Sequence, residues 1–156
     1  MCDSLISTLV PGTAEDDDAA LLVTRTAALP AGHVASWELP ADPAIVTEAR
    51  ARAARQLESW GLEELTFTTE LLVSELVTNA IRHAEAPIRL RMILDSTLSC
   101  EVSDGSVTAP RHRRADRYDE GGRGLMLVAL LAGRWGTRYT PAGKTIWAQQ
   151  PLARSS

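Results

Sequence analysis

The feature of this chain that most constrains its fold is a change of hydrophobic period at Pro87. Upstream, apolar side chains recur every three to four residues. Val46, Ala49, Ala53, Leu57 and Trp60 form one such series, and Leu72, Val73, Leu76, Val77, Ala80 and Ala84 form a second. Downstream the spacing is two, with Ile88, Leu90, Met92 and Leu94 alternating against Arg89, Arg91 and Asp95. A period near 3.6 buries one face of a helix, and a period of two buries one face of a strand. Proline cannot continue a helix, so the switch is enforced where it occurs.

The remaining elements follow from the same reading. Asp42-Pro43 reads as an N-cap followed by the first helical residue, and Gly61 as the stop of a helix that ends at Trp60. A second helix is expected from about Glu63 to Ala84. Ile88–Leu94 connects through Asp95-Ser96-Thr97 to Leu98, Cys100 and Val102, which alternate with Ser99, Glu101 and Ser103. That pattern is an antiparallel hairpin with one buried face. His33 to Leu39 alternates weakly, as an edge strand does. Residues 105–120 are polar and lack either period, and a loop of that length in a compact domain is usually functional. Gly122–Leu131 then reads as a helix, with Trp135–Thr140 and Lys144–Gln150 as strands. The expected architecture is α+β: a two-layer sandwich whose mainly antiparallel sheet is covered on one face by three helices.

At 156 residues the chain suits one domain, expected over residues 31–152, behind an acidic leader of residues 1–30 without sustained periodicity. The net charge of −4 argues against general affinity for nucleic acid or anionic lipid. No apolar stretch approaches the ~18 residues of a membrane span. Met1 to Leu22 carries an acidic cluster, Glu15, Asp16, Asp17 and Asp18, and no basic n-region, so it does not read as a signal peptide. Cys2 and Cys100 show neither a disulfide framework nor metal-ligand spacing, so the cytoplasm is the expected compartment.

Three polar constellations interrupt this apolar pattern. Glu75 and Asn79 are four residues apart and project from one side of the second helix, at the margin of its buried face. An amide buried without a partner costs roughly 1–3 kcal/mol, and an unpaired carboxylate more, so metal, water or phosphate oxygens are natural partners. Asp104-Gly105 closes an alternating strand, and a carboxylate there can accept the exocyclic N–H of adenine. Gly121, Gly122 and Gly124 precede the apolar run Leu125–Leu131, where backbone N–H groups can approach phosphate oxygens. Taken singly, each has an ordinary alternative: a solvated helix face, an Asp-Gly turn, a flexible loop end.

Two other phosphate motifs are excluded. The glycine cluster does not follow a strand in a βαβ unit, so it is no dinucleotide fingerprint. Ala142-Gly143-Lys144-Thr145 ends like a P-loop, but Arg138 stands where a glycine is required and a strand pattern follows. Arg111, His112, Arg113, Arg114 and Arg117 give the 105–120 loop local positive charge able to close over a polyphosphate. His33, His83 and His112 lack metal spacing, and His83 reads as a helix-end residue.

In this order the three constellations resemble the N, G1 and G2 boxes of the Bergerat-fold (GHKL, histidine-kinase-like) ATPase superfamily of gyrase, histidine kinases, mismatch-repair ATPases and heat-shock chaperones. Within it, Ser74-Glu75-Leu76-Val77-Thr78-Asn79-Ala80-Ile81 and the compact domain most resemble the bacterial anti-sigma-factor serine/threonine kinases. The resemblance covers roughly Ala35 to Leu152 and implies ATP and Mg²⁺ as cofactors. By it, Asn79 would hold Mg²⁺, and Asp104 with Gly105 would read adenine. Gly121, Gly122, Arg123, Gly124 and Leu125 would form the phosphate-binding end of a lid spanning 106–120. Thr145 would support Asp104 through water. Glu75 would accept the proton of a serine or threonine on an anti-sigma antagonist, with Arg117 or Arg123 offsetting phosphoryl charge. A sigma factor and a second copy of the chain are the other implied partners.

One departure stands out: the family's first glycine box often reads Asp-x-Gly-x-Gly, whereas this chain has Asp104-Gly105-Ser106-Val107-Thr108. A nucleotide-gated binding module without phosphotransfer is therefore the alternative. The catalytic half of a sensor histidine kinase is disfavoured, because about 40 residues of leader could not supply its helical hairpin.

Overall fold

The computed structural model describes residues 28–83, 87–105, 120–141 and 143–152. Strand β1 (Val34–Leu39) leads to helix α1 (Ile45–Trp60), a 3₁₀ turn (Glu63–Leu65) and helix α2 (Thr66–His83). Strands β2 (Ile88–Leu94) and β3 (Thr97–Asp104) follow, then helix α3 (Glu120–Leu131) and strands β4 (Arg134–Thr140) and β5 (Gly143–Pro151). The strands form one sheet in the order β1-β2-β3-β5-β4, antiparallel at every contact. This is the expected α+β sandwich, with β1 at one edge as its weak alternation implied.

Register decides which side chains meet the helices. Met92 lies opposite Cys100 and Cys100 opposite Ala148, while Leu90 lies opposite Val102 and Val102 opposite Ile146. All six are buried. The alternate positions carry charge instead: Arg89 bonds Glu38 at 2.8 Å, and Arg138 bonds Glu101 at 2.8 Å. On the apolar side, α2 is the central helix, packed against α1, α3 and β3. Its Leu72, Val73, Leu76, Val77 and Ala80 are buried together with Ala49, Ala53 and Leu57 of α1 and Val128 of α3. Each such Leu or Val contributes about 1.5–3 kcal/mol relative to exposure. The helical spacing in the sequence thus marked the right faces.

Helix ends differ from the sequence reading in ways that local chemistry explains. Asp42 does not cap α1 itself: its Oδ1 accepts from the Ala44 N–H at 2.9 Å, closing a turn before the helix begins at Ile45. At the other end Gly61 adopts φ 67°, and the Leu62 N–H reaches the Leu57 carbonyl at 3.0 Å, which ends the helix as expected. Glu63–Leu65 winds as a 3₁₀ turn, so α2 starts at Thr66. Helix α3 begins at Glu120, two residues before the expected Gly122, so Gly121 joins Gly122 and Gly124 inside its first turns. Residues 1–27, Ala84 and 106–119 lie outside the described residues, and with them most of the leader, the last expected residue of α2 and nearly all of the expected lid.

Candidate functional site

Chain connectivity brings the first two constellations to one end of the molecule. Arg89 lies opposite Ser103, so the first residue of β2, Ile88, falls beside the last residue of β3, Asp104. Residues 84–87 alone separate Ile88 from His83, where α2 ends. The C-terminal half of α2, with Glu75 and Asn79, therefore reaches the Asp104 end of the sheet. At the opposite end, the Gln150 amide donates to Thr69 Oγ1 at 2.8 Å, and Gln150 faces Leu98 across the ladder. Helix and strand thus run from that anchor towards a shared edge.

Glu75 and Asn79 are both half-buried, at the margin of the core as their spacing required. They line a recess with Thr78, Arg82, Gly124 and Leu125. Gly124 is the tightest point, because a Cβ there would collide with the Glu75 carboxylate. The third constellation thus meets the first through a contact that only glycine allows. The backbone N–H groups of the first turn of α3 have no acceptor within their own helix, and such groups suit an anion. Gly121, Gly122 and Arg123 belong to that turn.

Asp104 sits in a cleft of ≈ 260 Å³, near the lower end of the roughly 300–1,000 Å³ typical of small-molecule sites. Its side chain is 1% exposed. Gly105 and Gly143 line the same cleft. Gly143 adopts φ 139°, and a Cβ on it would overlap the Asp104 carbonyl, so β5 can close on the end of β3 only with glycine at this position.

The neighbour of Asp104 differs from the expected one. Asp104 lies opposite Lys144, and Ser103 opposite Thr145. Successive residues of a strand face opposite sides of the sheet, so Thr145 points to the far side from Asp104. Its hydroxyl bonds Ser103 Oγ at 2.9 Å, and Lys144 Nζ lies 3.7 Å from Asp104 Oδ2. Thr145 lines the same cleft, but the side chain directly paired with Asp104 across the ladder is Lys144. The sequence reading used Lys144 only to dismiss a P-loop, and its place within a strand agrees with that dismissal. It missed both Gly143 and Lys144. The signal that would have found them is the pairing of β5 with β3, which depends on contacts some forty residues apart.

Among the described residues no group of three His, Cys, Asp or Glu side chains could hold a metal ion. None of their helices is long and apolar enough to cross a membrane. A model of the histidine kinase-like ATPase domain matches residues 39–150, a span that runs from the last residue of β1 to all but the last residue of β5. The chain belongs to that family. A search of curated proteins finds no match.

Membership in the histidine kinase-like ATPase family makes this an ATP-binding domain of regulatory type, and its residues fit that nucleotide. Asp104 is an acceptor-only group on a cleft wide enough for a base. Gly124 lets the start of α3 lie directly against the Glu75 carboxylate, which takes the place a side chain would fill. Asp104 would hold the base, Asn79 a divalent cation, and the first turn of α3 the phosphates.

Proposed function

We propose that this protein is a cytoplasmic, Mg²⁺- and ATP-dependent serine/threonine protein kinase. Its substrate would be an anti-sigma antagonist, and its second partner a sigma factor bound by the homodimer. The observation that carries the reading is the contact of Glu75 with Gly124, which sets a carboxylate against the phosphate-binding end of α3. A base is needed there if a hydroxyl is to lose its proton as it attacks a phosphoryl group. ATP, when bound, supplies the phosphoryl group to be transferred.

Each residue has a separate task. Glu75 takes the proton from the partner's serine or threonine. Asn79 offers one neutral carbonyl oxygen to Mg²⁺, whose remaining ligands are water and phosphate, in keeping with a cation that retains much of its hydration. Asp104 accepts from the base. Arg82, exposed on the rim of the Glu75 recess, adds positive charge near the phosphates. Phosphorylation of the antagonist then frees the kinase to bind the sigma factor.

Incubation with Mg-ATP and an antagonist protein is expected to give phosphoserine or phosphothreonine. Glu75→Gln is expected to abolish transfer while leaving ATP affinity within about twofold, since a proton acceptor contributes to chemistry and not to ground-state binding. Loss of ATP binding in that variant would refute the role given to Glu75. The nucleotide-gated binding module is the second reading, supported by the missing glycine spacing after Asp104. Complex formation that responds to ATP without transfer to any partner would decide for it.

A further inference from the structure

Asp104 and Lys144 lie opposite one another in the ladder between β3 and β5, so both side chains project from the helix-covered face of the sheet. The Lys144 side chain is 16% exposed, against 1% for Asp104. Their separation of 3.7 Å is an ion pair but exceeds the roughly 2.7–2.9 Å of a charge-assisted hydrogen bond. The ammonium donors are therefore not spent on that carboxylate oxygen. Both residues line the cleft, whose wall there presents an acceptor and a donor side by side.

We infer that Lys144 is a second base-reading residue: Asp104 accepts from the 6-amino group of adenine while Lys144 donates to ring N1. The inference rests on the reading of Asp104 given above and deepens it. Adenine carries a donor and an acceptor at adjacent positions of one edge. A carboxylate only accepts, so Asp104 alone offers no donor to N1. Guanine presents an acceptor at position 6 and a donor at N1, the reverse order. Strand register fixes the order of the two side chains. Gly143, whose missing Cβ lets β5 press against Asp104, fixes their distance. The pair thus selects a 6-aminopurine at two atoms.

The competing account is that Lys144 merely neutralises a buried carboxylate. Calorimetric titrations of the full chain with ATP, 1-deaza-ATP (N1 replaced by C–H) and purine riboside triphosphate (no 6-amino group) separate the two. Wild-type protein should bind each analogue about tenfold or more weakly than ATP. Lys144→Met keeps the length of the side chain without its charge, and should bind ATP and 1-deaza-ATP alike while still requiring the 6-amino group. Lys144→Arg, which restores a donor, should recover the preference for N1.

Equal binding of ATP and 1-deaza-ATP by wild-type protein would overturn the role of Lys144, and that comparison needs no variant to fold. Persistence of the preference in Lys144→Met would do the same, as would a uniform loss of affinity for both ligands. Should wild-type protein instead bind ATP and purine riboside triphosphate alike, the reading of Asp104 fails and the inference falls with it. The 6-amino and N1 comparisons thus tell the two failures apart.

Discussion

Gly124 shows how one missing methyl group can set an enzyme's geometry. Alanine exceeds glycine in helix propensity by about 0.8–1 kcal/mol, so Gly124→Ala should stabilise α3 if propensity alone mattered. A Cβ there meets the Glu75 carboxylate, the mobile end of a flexible side chain that can rotate away. The variant is therefore expected to melt no lower than wild type yet lose most of the proposed phosphotransfer, because the carboxylate proposed as its base would be displaced. Thermal unfolding and a transfer assay on the same sample test both halves.

Cys100 is governed by burial. Its thiol is enclosed by the core, and desolvation, reinforced by the neighbouring Glu101, pushes its pKa up from 9.0 to about 12. The folded state therefore favours the neutral thiol, and the associated stability is whole below pH 9. It declines as pH rises from 9 towards 12, where the unfolded chain ionises first. Replacing Cys100 by alanine should flatten the alkaline limb of a stability–pH curve. In a Cys2→Ser background, thiol reagents should label native protein only at the rate of unfolding.

At the scale of elements, the tie between α2 and β5 is a single polar contact inside an apolar layer. Gln150 is 2% exposed and donates to Thr69, itself fully buried, while its Oε1 finds no partner among the described residues. Thr69→Val would leave the amide unpaired and should cost about 1–3 kcal/mol. Adding Gln150→Leu removes the stranded group and should recover most of that loss. Chemical denaturation of the two variants checks both signs. The exchange is also a test of topology, because these residues meet only if α2 starts over the Leu98 end of the sheet.

Elements were legible in the sequence to different depths for identifiable reasons. The buried faces of α1, α2, β2 and β3 follow from period alone, since burial on one side is what creates the period. Ends were less legible. Asp42 can cap a turn as readily as a helix, and the sequence does not say which carbonyl its neighbours will reach. The start of α3 read as Gly122 because glycine is a poor helix former, yet Glu120 and Gly121 are helical too and the tail, from Leu125, packs on the core. Tertiary packing overrode local propensity there.

At the scale of the molecule, the proposed binding by two recesses at one end of the sandwich would make nucleotide affinity depend on both. ATP is expected to bind more tightly than GTP by at least tenfold, and omission of Mg²⁺ to weaken ATP more than adenosine. Titration with each ligand, with and without the metal, measures the base and phosphate contributions separately. Sedimentation of the same samples tests the homodimer.

What the sequence determined by itself was whatever depends on neighbours along the chain. Helical geometry alone sets Glu75 and Asn79 on one side of α2, and alternation alone turns Asp104 towards the helices. The tertiary structure decided what depends on ladder register and on packing between distant segments. Gly124 meets Glu75 because α3 packs on α2. Lys144, and not Thr145, faces Asp104 because β5 pairs with β3 in one register, and a shift of a single residue would reverse every side chain. A pleated strand has two faces, and only its partner strand says which residue on the next strand shares one of them.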